Sequence, residues 1–185
     1  GALGATTDRI GCTTRVGATA GPRGVHADLE VDLTRAGAAF GHLAGEAALP
    51  RLTQLAALSD TLAPQPLSAH LRCDFADLGP LALLSSAIDS LAGRLAVAVD
   101  AGGDLHRPRV EAQATLRDGR ADIPAAGLEL RAIELEARGD TSRKLDLDAK
   151  LRSGAGELHC TAKSTLVAPD SLRLDVSLEG QRFLV

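Results

Sequence analysis

Aliphatic and charged residues alternate along most of the second half of this chain, and the beat of that alternation predicts strands. In "GRLAVAVDA" Leu95, Val97 and Val99 fall on one side of an extended backbone. After a loop containing Pro108, "RVEAQATLRDGRADIP" puts Val110, Ala112, Ala114 and Leu116 on one side. Asp118-Gly119 interrupts that run, and such a pair between alternating arms signals a hairpin, because a two-residue primed turn needs positive φ at both central positions. A turn there sets Arg117 opposite Arg120, Leu116 opposite Ala121 and Ala114 opposite Ile123. Every apolar residue of both arms then shares a face.

The next segment changes phase. In "GLELRAIELEARGD" Leu128 and Leu130 are even, whereas Ile133, Leu135 and Ala137 are odd, so one residue has been inserted. If Ala132 and Ile133 together oppose one partner, the result is a β-bulge that bends and twists the strand. Reversal at "GDTS" predicts Ala137 opposite Leu145, Leu135 opposite Leu147 and Ile133 opposite Ala149. Reversal at "SGAG" predicts Leu151 opposite Leu158, Ala149 opposite Cys160 and Leu147 opposite Ala162, and reversal at "VAPDS" aligns Cys160 with Val176 and Leu158 with Leu178. A one-residue slip would flip a whole strand, so this agreement predicts an antiparallel meander with one apolar and one wet face.

Earlier in the chain, "GVHADLEVDLTRA" alternates through Val25, Ala27, Leu29, Val31 and Leu33, and "LSAHLRCDF" through Leu67, Leu71, Cys73 and Phe75; both read as strands. Between them Leu49, Leu52, Leu55 and Leu58 recur every third residue, which suits a short helix or irregular crossing. "DLGPLALLSSAIDSLAG" predicts an amphipathic helix over residues 78–91: Asp77 caps it, Pro80 sits in its first turn, and Leu78, Leu81, Leu84, Ile88 and Leu91 form the stripe. Gly93 ends it. Its polar face lacks Lys and Arg, so it is expected to pack across an open end of the sheet rather than enter a membrane.

Composition sharpens this picture. The 185 residues contain no Trp, Tyr or Met and only three Phe, so the apolar interior must be built from small aliphatic contacts. A net charge of -4, with acids and bases interleaved, excludes a basic footprint for nucleic acid. No apolar run reaches a membrane span, and no signal-peptide pattern opens the chain. It begins with Gly, which suggests a piece of something longer. Cys12, Cys73 and Cys160 share the parity of neighbouring aliphatics and read as buried thiols, not as a disulfide framework or metal site.

Candidate chemistry is sparse. His26, His70 and His159 fall on the polar parity of their strands, none at ligand spacing from a Cys, Asp or second His. Asp104 and His106 in "GDLHRP" stand two apart on a loop, with no serine placed for activation. "GATAGPRG" lacks the Lys-Ser/Thr of a phosphate loop and reads as a turn. Carboxylates such as Asp146 and Asp148 belong to the wet face. The expectation is a protein that is not an enzyme and uses no metal or cofactor.

An ordered series then brings a resemblance: the segment 77–93, Gly93-x-Leu95, Leu105-x-x-Pro108-x-Val110, Asp118-Gly119, Pro124-x-x-Gly127 and Gly154-x-Gly156-x-Leu158. Over residues 75–185 it resembles the TamB family, periplasmic partners of the Omp85-type outer-membrane protein TamA in Gram-negative bacteria; residues 1–66 match only loosely. The resemblance implies a β-taco, an elongated curved antiparallel sheet folded into a hydrophobic trough, spanning residues 1–185 as one segment, of which 67–185 is the better-supported part. It also implies a bridge through the periplasm, anchored in the inner membrane by a segment absent here, that moves phospholipid outward and supports autotransporter assembly. The chain stops just after "QRF", so direct engagement of the outer-membrane partner is not implied.

On this reading the lipid-lining candidates are Leu95, Val97, Val99, Val110, Leu116, Ile123, Leu128, Leu130, Ile133, Leu135, Leu147, Leu151, Leu158, Leu174, Val176 and Leu178. Ordinary core packing is the competing role for each. The rival functions are a chaperone-like groove for unfolded β-strands of outer-membrane proteins, and a closed structural sandwich.

Overall fold

A computed structural model describes residues 10–22, 24–50, 66–84, 87–104, 107–142, 144–168 and 171–182. Ten strands account for most of them: β1 (Ile10–Gly21), β2 (Gly24–Arg35), β3 (Ala38–Leu49), β4 (Pro66–Phe75), β5 (Ser90–Asp104), β6 (Arg107–Ile123), β7 (Leu128–Gly139), β8 (Lys144–Ser153), β9 (Gly156–Ala168) and β10 (Ser171–Gln181). They form one antiparallel sheet whose spatial order is the order of the chain, and it does not close into a barrel. The all-β antiparallel meander expected from the alternation is therefore present.

The expected hairpin at Asp118-Gly119 is not. β6 runs through both residues, and Leu116 pairs with Leu95 on one side and Leu135 on the other. The type I′ turn that favours Asp-Gly needs two left-handed residues, and of this pair only Asp118, at φ 54, adopts that conformation. Asp118 and Gly119 together oppose Gly93, which makes a bulge of what the local signal shows as a turn. Pro108, expected in a loop, likewise belongs to β6, opposite Gly103.

The helix expected over 78–91 is also replaced. Gly79–Leu84 forms a short 3-10 helix, and strand β5 has begun by Ser90. Leu91 and Gly93 fit the alternation of Leu95, Val97 and Val99 as well as they fit a helical stripe, and β6 supplies the ladder that decides the matter: Leu91 pairs with Ala121. Asp77 does act at the start, its carboxylate accepting the Gly79 N–H at 2.8 Å. No described helix is long and apolar enough to cross a membrane.

Register elsewhere agrees in parity throughout. Ala132 and Ile133 jointly face Leu151, the expected bulge, between the pairs Arg131–Arg152 and Glu134–Lys150. The reversal at "SGAG" gives the expected pairs. At "GDTS" and at "VAPDS" the pairing is shifted by two: Ala137 faces Leu147, and Cys160 faces Leu178. A shift of two keeps every side chain on its face. "GATAGPRG" reverses the chain later than its glycines suggest, since Gly17 to Gly21 lie in β1 and Gly21 pairs with Gly24. The leucine-rich crossing after Leu49 and His106 of "GDLHRP" lie outside the described residues.

Among the described residues deep burial is confined to few side chains, chiefly Phe40, Leu78, Ala121, Ala149 and Ser153, together with Pro50 and the fully enclosed Pro80. Total accessible surface is 13044 Å² for 19.0 kDa, whereas a compact monomer of that mass exposes about 8,400 Å². Nearly every described strand residue is exposed or only half-buried, so among the described residues much of the sheet has no second layer against it.

Candidate functional site

Cross-strand pairing assembles the alternating residues into continuous rows. One row crosses all ten strands as Thr14, Val31, Leu43, Cys73, Val97, Ala114, Ala137, Leu147, Ala162 and Val176, each directly opposite the next. A second runs Cys12, Leu33, Gly41, Phe75, Leu95, Leu116, Leu135, Ala149, Cys160 and Leu178, and a third runs from Val16 and Leu29 through Leu71, Val99 and Ala112 to Leu145, Ser164 and Leu174. Side chains two apart on a strand point to the same side, so the three rows share one face. That face is almost free of charge and hydrogen-bonding groups.

All sixteen candidate lining residues lie on it. Beyond the second row, Ile133 is opposite Gly119, Leu151 opposite Leu158, Leu130 opposite Ala121 and Leu128 opposite Ile123; beyond the third, Val110 is opposite Ala101. The bulges at Asp118 and Ala132 explain why even and odd numbers mix on one face. Each bulge inserts a residue, and the two meet across β6 and β7, so the phase of both strands changes at the same level.

Cover is uneven along the strands. Residues 76–84 cross one end of the face: the Ala76 N–H donates to the Phe40 carbonyl at 2.9 Å and the Leu78 N–H to the Gly93 carbonyl at 3.0 Å. Phe40 tilts against Phe75 with ring centroids 6.4 Å apart. At the opposite end, in the third row, Leu71, Leu145 and Leu174 are exposed. The thiols expected to be buried are not: Cys12 is exposed and Cys73 and Cys160 are half-buried, because nothing lies over their part of the sheet among the described residues. Desolvation, and secondarily the adjacent Asp74, raises the Cys73 pKa.

The other face is a field of cross-strand polar pairs. Arg15 meets Glu30 at 2.7 Å, His70 meets Asp100 at 2.6 Å and His159 meets Asp148 at 2.7 Å. Glu30 holds the Arg15 guanidinium above its ordinary pKa, chiefly by hydrogen bonding. Pairs this exposed are screened by solvent and contribute little to stability. Glu30, Asp32 and His42 lie close enough together to share a metal ion. Both carboxylates already have partners, however: Glu30 pairs with Arg15, and Asp32 shares a hydrogen bond with His42 Nδ1 at 2.8 Å.

Strands β1 and β3 escaped the sequence reading. In β3 the positions on the apolar face are Gly41, Leu43, Gly45, Ala47 and Leu49, a mixture of small and large residues, with His42 and Glu46 as the strand's only polar side chains. Gly41 is where Phe75 lies: a Cβ there would stand 2.7 Å from its ring. No family model, curated protein or solved structure matches this chain.

Proposed function

We propose that the apolar face is a surface for phospholipid acyl chains, and that the chain is a non-enzymatic segment of a TamB-like bridge through the periplasm. In this reading the bulges and the twist of the sheet curve it into a hydrophobic trough, the inner-membrane anchor lies elsewhere in a longer parent, and the parent meets an Omp85-type partner at the outer membrane. The observation that supports it is the continuity of the three apolar rows over ten strands while their side chains remain partly open to water.

The physical argument is one of matching surfaces. Uncovered apolar area forgoes about 25 cal/mol for each Å² that could be buried, and acyl chains can cover it without asking for any polar group in return. Nine inter-strand spacings carry the face across about 43 Å, against about 15 Å for the hydrocarbon of one bilayer leaflet. Several chains fit along it. A solvated, charge-paired reverse face suits a span through water.

Native mass spectrometry of protein purified without detergent, together with photo-crosslinking from Val97, Leu116 and Leu135, tests this. Phospholipid adducts from those three positions, and none from Thr115 on the reverse face, are the expected result. Adducts to unfolded outer-membrane polypeptides would replace the lipid reading with that of a client-holding groove. Absence of both would overturn the function proposed.

A further inference from the structure

Among the described residues the sheet has two edges, β1 and β10, that match one another. Among the described residues β1 pairs only with β2, and β10 only with β9. The most exposed apolar side chains of the face lie on these edges: Val16 at 72%, Leu178 at 64%, Leu174 at 57% and Val176 at 52%. An interior strand covers such residues from both sides. An edge strand covers them from one, and leaves a row of backbone N–H and C=O groups open for pairing.

The reverse face supplies the register. There Arg138, Asp146, Lys163 and Asp175 stand directly opposite one another in succession from β7 to β10. At the other edge of the sheet, in the same row, Arg15 faces Glu30. The sign of charge alternates to the β10 edge, and Arg15 on β1 carries the sign that comes next. Because ten strands alternate in direction, β1 of a second copy placed beside β10 runs antiparallel to it.

We infer that copies of this chain pair head to tail, β10 of one against β1 of the next, with Asp175 opposite Arg15. This single register sets Val176 opposite Thr14, Leu174 opposite Val16 and Leu178 opposite Cys12, so all three apolar rows pass unbroken from copy to copy. It also sets Ser177 opposite Thr13, two hydroxyls that can hydrogen-bond. Arg173 comes opposite Gly17, over which the Asp28 carboxylate already lies, so that cation too arrives beside an acid. Slipping by two residues in one direction sets Arg173 against Arg15, and in the other sets Asp175 against Gly17. A slip of one inverts the faces.

The contact is heterologous, so each added copy again presents a β10 edge, and assembly continues unless the rotation from copy to copy closes a ring. Each added copy extends the apolar face by about 48 Å, ten strand spacings. The inference stands whether or not the apolar face holds lipid, since it rests on the open edges and on the charge register of the reverse face.

Cysteine pairs test it in the full chain after Cys12, Cys73 and Cys160 are changed to Ser. Under mild oxidation, a Thr14→Cys/Val176→Cys double variant is expected to give a ladder of covalent dimers, trimers and longer species. A mixture of the two single variants gives dimers only, and neither single variant cross-links alone. Asp175→Lys should reduce the ladder about tenfold, because a favourable cross-strand pair becomes repulsion from both Lys163 and Arg15; unchanged far-ultraviolet circular dichroism shows that the sheet persists. Dimers from Val176→Cys alone would mean that β10 meets β10 and would overturn the head-to-tail pairing. A disulfide confined within one chain, or no cross-link in a folded double variant, would overturn it equally.

Discussion

Gly93 and Gly119 meet backbone to backbone inside the sheet: a Cβ added to Gly93 would stand 3.0 Å from the Cα of Gly119 and 3.2 Å from the Arg117 carbonyl oxygen. Gly93 has φ 134, a conformation that L side chains rarely adopt. Strain and collision therefore act together. Gly93→Ala is expected to destabilise the chain by about 2 kcal/mol, read as a lower urea midpoint with an unchanged slope.

Leu135 and Glu136 are neighbours on β7 that face opposite sides. Leu135→Asp places a charge among Leu116, Ala149 and their row, and is expected to weaken binding of a fluorescent acyl probe by about tenfold. Glu136 pairs with the exposed Arg138, at 3.4 Å. Glu136→Ala should leave probe binding intact and stability within about 0.5 kcal/mol. Equal loss from both variants, measured by probe titration alongside denaturation, would count against the lipid role of the face.

The covered end of the sheet should be its most sensitive part. Leu78 is only 6% exposed, so Leu78→Ala leaves a cavity and is expected to cost about 3 kcal/mol. Leu174, on the same apolar surface but at the edge, should cost less than about 1 kcal/mol on the same change. Chemical denaturation of the two variants measures the contrast.

The cysteines should differ in reactivity in an order that follows their cover. Cys12 is exposed, whereas burial and Asp74 hold the Cys73 thiol above its ordinary pKa of 9.0. Alkylation with iodoacetamide near neutral pH, followed by peptide mass spectrometry, should modify Cys12 well before Cys73. The sign of the linkage follows. The fold favours the neutral thiol, so its contribution is intact below pH 9.0 and is lost as pH rises through the higher folded value. Cys73→Ser should remove that alkaline loss.

Much of this architecture is legible from the chain alone, because the side to which a residue points in a strand is set by covalent geometry and needs no knowledge of partners. Leu95, Val97 and Val99 share a face wherever their strand lies, and the insertion at Ala132 is visible as a change of phase. For that reason pairings displaced by two residues, as at Leu147 and Leu178, still left the apolar face whole.

What required the tertiary structure was the choice between local conformations of similar free energy. Asp118-Gly119 suits a turn or a bulge, and β5 and β7, distant in sequence, decide for the bulge by offering ladders to both sides of β6. Leu91 suits a helix stripe or a strand, and its partner Ala121 lies thirty residues away. Alternation along one strand is a short-range property, so the sequence carries it openly. Hydrogen-bond pairing and burial are contributed by other segments, so only the folded chain shows which strand ends in a turn, which continues, and which apolar residues remain open to water.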